Sequence, residues 1–183
     1  MPSVAELADR YVERAAALDP TAASVEGLGG YDHELTDYSP AGIAARLSLE
    51  RETLASLAAA DVSDDRDRIA AELLRERLAV RVEQREAGED LRALRPIGAP
   101  AGTVRMAFDL MPTATDDDWA TIEARLGHVP GALAGFTESL RLGLARGMPA
   151  ARRQALACAA QARAWADGYF ASLLAKRHGA ARA

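Results

Sequence analysis

Few residues in this 183-residue chain have the type and spacing that chemistry demands. Three histidines, His33, His128 and His178, stand far apart, and none lies in an HExxH or HxxxH spacing. A helix that binds zinc presents two imidazoles one turn apart, with a third ligand from elsewhere. No metal ligand is assigned on this ground. Asp32-His33-Glu34 reads as a solvated loop cluster, and Asp116-Asp117-Asp118 as the acidic first turn of a helix, where carboxylates complement the dipole. Cys158 falls on an apolar stripe with no histidine near it in sequence and reads as a small core residue rather than a nucleophile. Trp165, Tyr169 and Phe170 read as core or groove lining. Gly27–Gly30 lacks the GxGxxG order and the preceding strand of a phosphate cradle. One polar pair stands out: Glu50 and Arg77 each interrupt an apolar helical stripe, and the spacing predicts an ion pair between them. No catalytic, cofactor-binding or metal-ligating residue is assigned.

The elements that must position these residues are helical. Ser3-Val4-Ala5-Glu6 is a capping box opening a helix that ends at Asp19-Pro20. Residues 21–38 read as a long ordered loop, with a short helical turn around Ala22–Glu26. Ser39-Pro40 starts a second long helix, with Ile43, Leu47, Leu54 and Leu57 on its apolar side. A third runs from about Arg66 to Ala87, with a broad apolar side (Ile69, Ala70, Leu73, Leu74, Leu78, Val82) and Gly88 as C-cap. A short turn at Asp61–Asp65 predicts that these two helices pack antiparallel.

Residues 95–113 break the pattern. Pro96, Gly98, Pro100 and Gly102 precede an apolar group (Val104, Met106, Phe108, Leu110, Met111), which predicts a buried, irregular crossover. Beyond it, Thr115 caps a helix ending near Gly127, Pro130 opens another that buries Leu133, Phe136, Leu140 and Leu144 up to Gly147, and Pro149 starts the last. The fold class is all-α: about six helices in an antiparallel bundle, one domain over residues 1–183.

Composition narrows the function classes. With 49% hydrophobic but only 5% aromatic residues, Ala and Leu fill the core. A net charge of −5 argues against nucleic acid as a partner, since phosphate binding needs clustered cations. The single cysteine suits a reducing compartment. With no leader before the first amphipathic helix and no apolar run of membrane-spanning length, a soluble cytoplasmic protein without membrane contact is expected.

The segments LDPTAASVEGLGGYDHELTDYSPAGIAAR, RMAFDLMPT and DDWATIEARLGHVPGALAGFTESLRLGLARGMPAARRQ together resemble the N-terminal part of a bacterial family, domain-of-unknown-function family 885. Leu18-Asp19-Pro20, Gly30-Tyr31-Asp32 through Asp37-Tyr38-Ser39-Pro40, and Phe108–Thr113 carry most of the likeness, in their order and spacing. The resemblance implies a longer, helix-rich protein similar to HExxH zinc peptidases. The metal motif of that family, an HExxPGHH-like segment, belongs to a C-terminal half that these residues do not include. What it implies here is a non-catalytic scaffold, one wall of a deep cleft, inactive alone and without zinc of its own. Its partner would be that C-terminal half or another chain, with a homodimer as a further possibility. The alternative is a stand-alone helical module that binds a ligand or assembles with a partner.

Overall fold

The computed structural model describes residues 2–180, with side chains through residue 177, and every regular element in it is helical. Helix α1 (Val4–Leu18) opens on the expected capping box: Glu6 N–H donates to Ser3 Oγ at 3.3 Å and Ser3 N–H to Glu6 Oε2 at 2.9 Å. Asp19 closes α1 and caps α2 (Pro20–Val25), because its carboxylate accepts from Ala22 N–H. The expected short turn is there, begun two residues earlier. Ser39 caps α3 (Pro40–Ala58), and Asp64 caps α4 (Asp65–Glu86). Val4, Leu7, Leu57, Ala71 and Leu78 form the core these helices share.

Gly88 follows α4 in the left-handed conformation (φ 76°), where only glycine is free of strain, and Met148 packs against it. A 3₁₀ turn, Glu89–Arg92, leads to the crossover, which is ordered into α5 (Pro100–Met106) and a second 3₁₀ turn, Ala107–Leu110. Then come α6 (Asp116–Ala145), α7 (Arg152–Ala164), a π-helical turn (Trp165–Tyr169) and α8 (Phe170–Ala180). The second core comprises Phe108, Met111, Trp119, Ile122 and Leu173. The crossover is thus only half buried: Phe108 and Met111 point in, while Met106 and Leu110 face solvent.

Three expectations need correction. Residues 116–145 form one helix, not two, and Pro130 lies inside it. An internal proline removes a backbone hydrogen bond and clashes with the preceding turn, at a cost of ~3 kcal/mol. The buried residues Trp119, Ile122, Arg125, Ala132, Phe136, Ser139 and Gly143 run continuously on both sides of it. Packing along this single stripe overrides the break. The stripe also turns Leu133 and Leu144, expected in the core, toward solvent.

The second correction concerns α3 and α4. The buried stripe of α3 is Gly42, Arg46, Leu49, Glu50, Thr53 and Leu57, half of it polar. On α4 only a narrow stripe through Ala71 and Leu78 is covered, and Ile69 and Leu73 are exposed. The third is the Glu50–Arg77 pair. Arg77 points into solvent beside Glu76, and Glu50 pairs with Arg85 at 2.9 Å. The two helices are antiparallel, but their connection is extended rather than tight. Asp61 forms an isolated bridge with Ser3, its N–H reaching Pro2 O at 3.4 Å. α4 therefore begins beyond the end of α3, and the residue that meets Glu50 lies eight positions further on than a tight turn would place it.

Substitutions in α6 test the packing account. Pro130→Ala should stabilise the chain by about 1–3 kcal/mol in urea unfolding, because it restores a helical N–H. Gly143→Ala should destabilise it, because a Cβ there would sit 2.2 Å from the Leu91 carbonyl oxygen.

Candidate functional site

The charged residues at the interface of α1–α4 come together around one concavity. Its wall includes Tyr11, Ala15, Ala16 and Asp19 from α1 and its cap, Ala23 from α2, Arg46, Leu49 and Glu50 from α3, and Arg81 and Arg85 from α4. Its volume is about 230 Å³. Helical spacing assembles it: Arg46 and Glu50 are one turn apart on α3, as are Arg81 and Arg85 on α4, so each pair shares a face.

Glu50 is only 2% exposed. Its Oε2 accepts from Arg85 Nε at 2.9 Å, and Arg85 Nη1 donates to Asp90 Oδ2 at 2.7 Å. Burial opposes the charge on Arg85, yet the hydrogen bond to Glu50 and the field of Asp90 outweigh it and raise its pKa. Arg46 has no such carboxylate in contact. Its Nη1 donates to two backbone carbonyls, Asp37 at 2.8 Å and Leu18 at 3.3 Å, and burial pushes its pKa down, with Asp19 opposing. Arg81 Nη1 donates to the Tyr11 hydroxyl at 2.8 Å, at the open edge of the cavity. Burial raises the Tyr11 pKa, so its hydroxyl stays protonated at neutral pH.

A second polar cluster lies under the 21–38 loop. Arg125, fully buried on α6, donates to Glu34 O at 3.0 Å, Tyr31 O at 3.1 Å and Ser24 Oγ at 2.6 Å. Asp32 stands 3.6 Å away, and Nη1 has no partner. Thr21 and Thr36 exchange backbone-to-hydroxyl bonds at 3.2 Å across the base of the loop. A third cluster joins the crossover to the C-terminal helices: Arg105 pairs with Asp109, and Tyr169 OH donates to Asp109 at 2.7 Å.

Other residues singled out by sequence fall elsewhere. His33 lies beside Glu34, both about half exposed, and His128 is exposed on α6. The side chain of His178 is outside the described residues. Asp118 serves the capping box of Thr115, and its pKa is lowered by the Thr115 N–H. Cys158 is half-buried, and burial raises its thiol pKa. Among the described residues no group of three or more His, Cys, Asp or Glu side chains could hold a metal ion. The zinc that the family resemblance implies has no donor set in these residues. Sequence reasoning missed Arg85, Arg46 and Arg125; a guanidinium three residues after Ile122 on a buried stripe was the available signal for the last.

The model of the family described as "Bacterial protein of unknown function (DUF885)" matches residues 20–182. The chain belongs to that family. No curated protein matches it. None of its described helices is long and apolar enough to cross a membrane.

The site makes an asymmetric prediction. Arg85→Ala leaves Glu50 buried and alone and should cost about 3–5 kcal/mol. Glu50→Ala leaves Arg85 its contact with Asp90 and should cost less. Arg77→Ala, at an exposed position, should stay within about 0.5 kcal/mol. Chemical denaturation of the three variants checks the order.

Proposed function

We propose that this DUF885 chain is a scaffold, one wall of the cleft of a metallopeptidase-like protein, and that it has no peptidase activity alone. The observation that carries this reading is α7, a 13-residue helix without one buried residue. Its inner stripe is half covered, Leu156 is 60% exposed, and Leu174 on α8 and Leu110 in the crossover also face solvent. Isolated soluble chains seldom leave large contiguous apolar surface bare. A wall of a two-sided cleft does so until its other side is in place.

Light scattering across a concentration series tests this. Free in solution, the chain should self-associate through the uncovered face, most simply as a symmetric dimer, and Leu156→Glu should weaken that association. A monodisperse monomer at high concentration would overturn the cleft-wall reading. Elemental analysis should find no stoichiometric zinc; about one zinc per chain, lost on mutating His33 or His128, would contradict the scaffold role.

A second reading, a stand-alone ligand-binding module, is favoured by the α1–α4 cavity. A nearly buried carboxylate beside a cavity wall is an expensive feature for a scaffold alone.

A further inference from the structure

We propose that the α1–α4 cavity binds a small zwitterion of the α-amino acid class, its ammonium on Glu50 and its carboxylate on Arg81 and Tyr11. The proposal rests on the binding-module reading and not on the cleft wall.

Glu50 supplies the cationic end. It is 2% exposed, lines the cavity, and uses only Oε2 in its bond to Arg85. No described group donates to Oε1. Oε1 is not among the buried side-chain atoms left without a partner, so it opens onto the cavity, where a donor can reach it. Burial extends to Arg85, whose fork is divided between Glu50 and Asp90, so one cation serves two carboxylates. The cavity wall carries Asp19, Glu26 and Glu50 against Arg46, Arg81 and Arg85, and an ammonium ion with its three N–H donors supplies Oε1 with the hydrogen bond it lacks.

Arg81 supplies the anionic end. It lies one helical turn before Arg85, a rise of about 6 Å. Its described bond uses Nη1 alone, to the Tyr11 oxygen. The rest of its fork is free for a carboxylate, the geometry guanidinium recognises best. Tyr11 accepts from Arg81, so its own proton is free to point at the same carboxylate. Glu50, Arg81 and Tyr11 line the same cavity, so a ligand seated in it meets an acceptor and donors together.

Size agrees. The concavity, about 230 Å³, has room for a small amino acid. Ala15, Ala16, Ala23 and Leu49 give the body of the ligand an apolar wall.

L-Valine, 3-methylbutanoate and 2-methylpropylamine separate the possibilities, because the last two are valine without its amine and without its carboxylate. Calorimetric titration of the chain should show valine binding at least ~10-fold more tightly than either analogue, a difference of about 1.4 kcal/mol. Arg81→Gln should reduce valine to the level of the amine, and Glu50→Gln should reduce it to the level of the acid. Arg81 is exposed, so its variant should fold and carries the test if Glu50→Gln does not. Valine binding no tighter than 3-methylbutanoate would mean a simple anion site and would overturn the proposal, as would the absence of saturable binding at millimolar valine. A monomer in light scattering leaves this inference standing, and a failed titration leaves the cleft wall standing.

Discussion

The buried guanidinium of Arg125 is the contact on which the arrangement of this chain depends. It sits on α6, with no exposed surface, and reaches two carbonyls and a hydroxyl of the 21–38 loop. That loop would otherwise lie on the helices with its backbone groups unmatched. Ser139, four turns further along α6, donates to Tyr38 O at 2.7 Å and fixes the end of the same loop. Between them Gly135 lets the backbone of Ser39 approach so closely that a Cβ would stand 2.9 Å from its nitrogen. The loop is therefore a polar layer laid along α6, and through it the α1–α4 core meets the core of α6 and α8. A charge so far from water needs several hydrogen bonds to be tolerated. A planar fork with five donors can serve three acceptors at once, which an ammonium on a flexible stem does less well.

The same tension between burial and charge shapes α3. A helix with Arg46, Glu50 and Thr53 on its covered face gains less from apolar burial than one lined by leucine. The fold accommodates it by pairing Glu50 with Arg85 and by giving Arg46 two backbone carbonyls. Where these groups meet, the helices do not close, and a cavity remains. The concavity and the buried charges are one feature seen from two sides.

The C-terminal third is held more lightly. Among the described residues of α7 and α8, Leu173 is the one buried in the second core, with Phe170 packed against it, and Gln161, Tyr169 and Arg105 contribute polar contacts at the rim. Arg105 also lies 4.9 Å from the Tyr169 ring and 5.9 Å from that of Trp165, a cation–π arrangement that ties α5 to the π-helical turn. A π turn widens the helix by one residue, and here it carries Trp165 and Tyr169, with Phe170 directly after it against Phe108.

Local signals in the sequence determined the helical class, the caps and most helix ends. Ser3 with Glu6, Ser39 with Pro40, and Thr115 with the acidic turn after it act on their own backbone, so no distant residue alters their reading. The family, too, was legible, because it is carried by the order of such segments. Tertiary structure decided what depends on two segments at once. Whether Pro130 breaks a helix depended on the stripe buried to either side of it. Which arginine meets Glu50 depended on the extended path of residues 59–64, because helical register shifts with the length and shape of a connection that periodicity does not encode. The cavity followed from that register: a tight turn would have brought Arg77 to Glu50, while the extended connection brings Arg85 and, one turn away, Arg81.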